Sequence, residues 1–171
     1  MELKQINWGI IGTAKINNSI IPCINQLGYN IIGVATRNKN KRKKFFKKFK
    51  IKKIYKNYDS LVNDEKINFV YIPLPNSLHF KWCKKAIEKK KNVLCEKPIC
   101  LESKKVKTLL NLSKKHKTII SEALMYRHNN LIKKLKYLIK KKVIGNILKI
   151  ESNFCLFTKE DKKNIRFKKN L

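Results

Sequence analysis

Short apolar runs alternate with longer stretches whose apolar residues recur every three or four positions, and this alternation narrows the choice of fold more than any other feature of the chain. Ile6 to Ile11, Asn30 to Ala35, Phe69 to Ile72, Asn92 to Cys95 and Thr118 to Ala123 are rich in β-branched and aromatic residues and read as buried strands. Between them Lys15 to Gln26, Lys39 to Phe49, Leu78 to Lys90 and Glu102 to Lys115 carry apolar residues on one helical face and lysines on the other. Asp59 to Asn63 reads as a short helix and Ile51 to Tyr55 as a short edge strand. Strands apolar on both faces, each followed by a helix, predict an α/β fold: a Rossmann-type, doubly wound parallel sheet over residues 1–123.

After Ala123 the rhythm changes. A polar break, MYRHNN, precedes an amphipathic helix over Leu131 to Lys142, a turn at Gly145 and an alternating strand over Ile147 to Phe157. Residues 124–171 are therefore expected to be the truncated start of an α+β C-terminal domain, because one helix and one strand cannot close a sheet with a core of its own.

A formal charge of +31 at first suggests a polyanion partner. Yet all but four of the 42 basic residues are Lys, spread over almost every predicted helix, and Asn and Ile are abundant too. That skew is expected of an AT-rich coding sequence, whereas readers of nucleic acid favour Arg for its bidentate contacts. No specific nucleic-acid partner is expected. The five cysteines form no C-x-x-C pair and no His lies at zinc-finger spacing, so buried free thiols and no metal site are expected. The N-terminus lacks the order of a signal peptide, and no apolar run reaches the roughly 18 residues of a membrane span. A cytoplasmic protein without a membrane partner follows as the expectation.

The first strand runs into Gly12-Thr13-Ala14-Lys15-Ile16-Asn17. Small residues at a strand-to-helix turn let backbone N–H groups approach a pyrophosphate seated on the helix N-terminus. The full G-x-G-x-x-G pattern would place Gly at 14 and Gly or Ala at 17; Ala14 preserves the close approach, and Asn17 departs from the small residue that packs helix on strand. A tight structural turn is the competing reading, which the position inside a β-α-β unit opposes. The second strand ends in Thr36 and Arg37 rather than a carboxylate, which suits the 2′-phosphate of NADP better than the ribose hydroxyls of NAD, although NAD remains open. Pro73, Leu74, Asn76 and His79 leave the fourth strand, with Asn76 a good helix cap, and the fifth delivers Cys95-Glu96-Lys97-Pro98 to the same sheet edge.

In this order and approximate spacing, WGIIGTAKI, VATR, YIPLPNSLH, VLCEKPI and EALMYR resemble the Gfo/Idh/MocA oxidoreductases (glucose-fructose oxidoreductase, inositol dehydrogenase and MocA) over residues 6–130, with a flavour of the NADP-linked dihydrodiol and xylose dehydrogenases. GNILKIESNF from Gly145 and DKKNIRF from Asp161 resemble the start of that family's C-terminal domain. The resemblance implies reversible hydride transfer between the nicotinamide and a hydroxyl-bearing carbon of a sugar or polyol. It makes Lys97 the catalytic residue, partly desolvated and relaying the hydroxyl proton, with Glu96 orienting or balancing it. The cofactor-binding set it implies is Gly12, Thr13, Ala14, Lys15, Ile16, Thr36, Arg37, Pro73, Leu74, Asn76, His79, Glu96, Lys97 and Arg127, although His128-Asn129-Asn130 departs from the family's continuation. The family's second acid/base group lies beyond a segment that Leu171 precedes, so the 171 residues alone are expected to bind cofactor with little or no turnover. Full-length relatives are expected to be homo-oligomers. A non-catalytic dinucleotide-binding remnant is the alternative, and a basic nucleic-acid-binding protein a more distant one.

Overall fold

A computed structural model describes residues 5–38, 45–155 and 157. The chain divides into two units between Ala123 and Leu124.

In the first unit the strands are β1 (Asn7–Ile11), β2 (Asn30–Ala35), β3 (Ile54–Tyr55), β4 (Phe69–Ile72), β5 (Asn92–Cys95) and β6 (Ile120–Glu122). They form one sheet in the order β3-β2-β1-β4-β5-β6, with every pairing parallel. This is the expected Rossmann-type sheet, and the order reverses between β1 and β4, the switch point where such sheets hold ligands. The helices are α1 (Asn17–Gln26), α2 (residues 45–49), α3 (Tyr58–Val62), α4 (Asn76–Glu88) and α5 (Ser103–His116). The rest of the helix expected over Lys39 to Phe49 lies outside the described residues.

Two apolar clusters flank the sheet, as double winding requires. Ile10, Val34 and Tyr71 pack with Ile21 of α1 on one side. On the other, Ile11, Val70, Ile72 and Val93 meet Leu61, Trp82, Cys83, Ile87 and Leu109 of α3, α4 and α5. The pattern is legible in α4, whose buried residues His79, Trp82, Cys83, Ala86 and Ile87 follow the spacing of one helical face. Gly9 lets α3 approach the sheet, since a Cβ there would stand 2.7 Å from Leu61 Cδ2.

Several boundaries moved. The last strand is Ile120–Glu122 rather than Thr118 to Ala123, and the edge strand is Ile54–Tyr55. Helix α4 begins at Asn76, two residues before Leu78, because Pro75 already fixes the backbone at its N-cap. Asn76 is thus the first helical residue and not the cap.

The second unit contains a 3-10 turn at Met125–His128 and α6 (Asn130–Lys140), where Asn129 caps the helix by accepting from the Leu131 N–H. The strand expected over Ile147 to Phe157 is not formed at its described residues. Its alternation is real, but Leu148 and Phe154 are 97% and 93% exposed, and a strand with no partner has nothing to complete its hydrogen bonds. The stretch from Asp161 lies outside the described residues. Among the described residues no helix is long and apolar enough to cross a membrane.

Candidate functional site

The carboxyl ends of β1, β2, β4 and β5 bring the expected residues together. Gly12 closes β1 with φ +110°, its N–H donating to the Ala35 carbonyl at 2.7 Å. A Cβ at Gly12 would stand 3.0 Å from Leu74 Cδ2 and 3.6 Å from the Pro73 carbonyl oxygen. Only glycine meets both demands at low cost. The N–H groups of Thr13, Ala14, Lys15 and Ile16 find no acceptor among the described residues, and α1 has neither a side-chain cap nor an acid in its first turn. With Lys15 exposed beside them, these donors fit a pyrophosphate.

Asn17 is better built in than the sequence suggests. It is fully buried, and its Nδ2 donates to the Gly12 carbonyl at 2.9 Å, fastening the turn from inside the helix. Its Oδ1 is buried without a partner among the described residues. Lys48 was not anticipated: it donates to Asn18 Oδ1 at 2.8 Å and shares with Thr13, Ala14 and Lys15 a groove of about 350 Å³. No motif marks it, because it reaches the turn from a separate helix.

Thr36 and Arg37 part company. Thr36 is buried, its hydroxyl 3.1 Å from that of Thr13 and accepting from the Asn38 N–H, so it joins the ends of β1 and β2. Arg37 is exposed, with its guanidinium 5.9 Å from the centre of the Tyr58 ring.

The loop after β5 is fastened at several points. The Glu96 N–H donates to the Ile72 carbonyl, and the Ala123 N–H to that of Cys95. Tyr71, fully buried on β4, donates its hydroxyl to Glu96 Oε1 at 2.8 Å. Burial, then the Glu96 contact, pushes this phenol's pKa up, so Tyr71 is the donor. The Ile99 N–H donates to Glu122 Oε1 at 2.9 Å. His79, 0% exposed, has Nδ1 2.7 Å from the Pro98 carbonyl and Nε2 2.7 Å from the Leu74 carbonyl. The Lys97–Pro98 bond is cis.

Three of the expected residues are placed as follows. His79 is fully buried, with both ring nitrogens facing main-chain carbonyls. Glu96 pairs with Tyr71 and makes no ion pair with Lys97. Lys97 is exposed on this fastened loop, without a hydrogen-bond or ionic partner among the described residues. Pro73 is buried, Leu74 is half-buried against Gly12, and Asn76 is exposed, its side chain without a hydrogen bond among the described residues. Arg127 belongs to the second unit, exposed in the turn Met125–His128.

The thiols nearby offer no nucleophile. The hydrogen bond with Cys83, followed by burial, pushes the Cys95 pKa far up, and burial raises that of Cys100. Cys23 and Cys155 are exposed, contrary to the expectation of uniformly buried thiols. A cavity of about 670 Å³ opens instead at the amino ends of β1 and β2, beside Asn7, Asn30, Lys50 and Lys66. It has no helix N-terminus and no Gly-rich turn, so size alone does not make it the stronger candidate.

A parallel sheet in this order, with free turn donors at its switch point, defines a dinucleotide-binding Rossmann domain. The family model for the oxidoreductases with an NAD-binding Rossmann fold, Gfo/Idh/MocA, matches residues 6–124, and the chain belongs to that family. It is 28% identical over 165 residues to the D-xylose 1-dehydrogenase (NADP(+)) 2 of Haloferax volcanii, covering 96% of this chain and 50% of that protein. To the trans-1,2-dihydrobenzene-1,2-diol dehydrogenase of Xenopus laevis it is 29% identical over 150 residues, 86% of this chain and 46% of the relative. A crystal structure of a 3-ketoreductase from Actinomadura kijaniata with TDP-benzene and NADP superposes with a TM-score of 0.76 at 26% identity, covering 84% of this chain and 44% of that one. The chain thus spans about half the length of the relatives it matches.

Proposed function

We propose that this chain is the NADP-preferring, dinucleotide-holding part of an oxidoreductase acting on a sugar- or polyol-type hydroxyl carbon. The observation that carries the reading is the Gly12 turn: its unpaired N–H groups stand on an α-helix N-terminus, with Leu74 packed against it and Leu74 linked through His79 to the loop bearing Lys97. When bound, the nicotinamide accepts or returns a hydride. Thr13 to Ile16 hold the pyrophosphate, and Arg37, exposed just after β2, supplies the positive charge that a 2′-phosphate requires. Lys97, exposed on a fastened loop, holds the substrate hydroxyl and relays its proton. The relatives' names support this reading, two being sugar or diol dehydrogenases and one a ketoreductase bound to NADP.

Fluorescence titration with NADPH and NADH at moderate salt tests it. Tighter binding of NADPH, with the preference lost in Arg37→Ala, is the expected result. Binding of neither dinucleotide, together with salt-sensitive DNA binding, would overturn it. Turnover of a polyol panel abolished by Lys97→Met assigns the proton relay, whereas NADPH binding without turnover leaves a dinucleotide-holding module.

A further inference from the structure

The cavity of about 670 Å³ at the amino ends of β1 and β2 lies on the opposite edge of the sheet from the Gly12 turn, roughly 20 Å away along the six residues of β2. It exists because β3 is short. That strand pairs with β2 only at Val34 and Ala35, and among the described residues no strand lies beside Asn30 to Ile32 on that side. The volume is that of a site for a small organic molecule.

Three kinds of group line it. Lys50, Lys52 and Lys66 are exposed, no acid is among the lining residues, and none of the three ammonium groups has an ionic partner among the described residues. Asp64, two residues before Lys66, is taken up by Lys53 and Tyr55. In a chain so rich in lysine the charge alone would mean little, but here it adjoins a fixed polar pair. Asn30 Nδ2 donates to Asn7 Oδ1 at 3.0 Å, and the Asn7 N–H donates to Asn68 Oδ1 at 2.8 Å. Each amide keeps its other half without a partner among the described residues: a donor at Asn7 Nδ2 and an acceptor at Asn30 Oδ1. The Tyr29 hydroxyl, also in the lining, is likewise without one. Ile31 and Phe49, half-buried members of one apolar cluster, supply an apolar wall.

Unbalanced positive charge, fixed amides and an apolar wall together describe a ligand with a strong negative charge, hydroxyl groups and a C–H face. A phosphate monoester carries about −1.5 to −2, which three ammonium point charges balance better than the single charge of a carboxylate. We propose that this cavity is a second ligand site, separate from the dinucleotide site, and that it takes a sugar phosphate. The lysines meet the phosphate, the two amides and Tyr29 meet hydroxyls, and the apolar wall meets one face of the sugar. Neither the Gly12 turn nor Lys97 lines it, so the site goes beyond the function proposed above and does not depend on it.

Two-dimensional ¹H–¹⁵N spectra of the full chain test this at about 150 mM salt, where exposed charges are screened beyond about 8 Å. Glucose 6-phosphate and ribose 5-phosphate are titrated against glucose, gluconate and inorganic phosphate. We expect a sugar phosphate to shift the amides of Asn7, Asn30, Ile51 and Lys66 saturably, and to bind about tenfold or more tighter than gluconate or inorganic phosphate. The double variant Lys50→Gln, Lys66→Gln changes exposed side chains, so it should keep the urea midpoint of the wild type while binding about tenfold more weakly. Asn30→Ala should bring the affinity for sugar phosphate down to that for inorganic phosphate. The proposal is overturned by the absence of a saturable shift up to about 10 mM, by gluconate or inorganic phosphate binding as tightly as either sugar phosphate, or by a double variant with wild-type affinity. Saturating NADPH should leave sugar-phosphate affinity unchanged, and displacement from these amides would show that the cavity is not a separate site. A wild type that binds sugar phosphate but neither dinucleotide refutes the function proposed above and leaves the second site standing.

Discussion

The turn after β1 and the loop after β5 lie at the same edge of the sheet and are built in opposite ways. In the first, a side chain fastens the turn from behind through the Gly12 carbonyl, and the main-chain N–H groups of Thr13 to Ile16 are left free among the described residues. In the second, main-chain groups of Glu96, Pro98 and Ile99 are taken up by Ile72, His79 and Glu122, and a side chain, Lys97, is left free among the described residues. A diffuse anion is best met by several fixed dipoles, and a single proton by one movable amine.

Gly12→Val tests the contrast most severely. A β-branched residue at φ +110° with Leu74 at contact distance forces the turn to move, and we expect dinucleotide affinity to fall more than tenfold, with about 1–3 kcal/mol lost from stability in urea unfolding. Unchanged affinity would show that the turn is only structural.

Tyr71→Phe attacks the second loop from behind. Removing the hydroxyl leaves Glu96 without its buried donor, and a loss of about 1–3 kcal/mol is expected in the same measurement. Dinucleotide affinity should change less than in Gly12→Val; the reverse order would break the contrast.

Asp64, away from both segments between α3 and β4, serves as a control. Hydrogen bonds from Lys53 and Tyr55 lower its carboxyl to about 2, below its ordinary 3.8. A carboxylate whose folded pKa is depressed stabilises the fold above its unfolded pKa, and that stabilisation is lost as pH falls from about 4 toward 2. Asp64→Asn should therefore lower the melting temperature at neutral pH and flatten its decline in acid, without altering dinucleotide affinity.

Lys97→Met has the smallest expected effect on the fold. The side chain is exposed and unpaired among the described residues, so stability should hold within about 0.5 kcal/mol while any hydride transfer is abolished. A large loss of stability would mean that Lys97 is structural after all.

The core strands could be read directly: Asn30–Ala35, Phe69–Ile72 and Asn92–Cys95 are bounded as expected, because runs apolar on both faces leave little choice of environment. The motifs that identify the family could be read too, since a Gly at a strand-to-helix turn and a Lys-Pro after a buried strand are local signals. His79 and Asn17 could not be read in the same way. Both looked like polar residues near a helix start, and their roles lie in contacts with Leu74, Pro98 and Gly12 that only the folded arrangement creates.

Sequence periodicity alone determined that the first 123 residues form a parallel, doubly wound sheet whose carboxyl edge carries Gly12, Arg37 and Lys97, because burial on both faces of a strand is written into its composition. Tertiary structure decided which groups at that edge remain free. Whether a donor or acceptor is satisfied depends on partners far away in the chain, as Tyr71 is for Glu96 and Glu122 for the Ile99 N–H, and no local pattern records them.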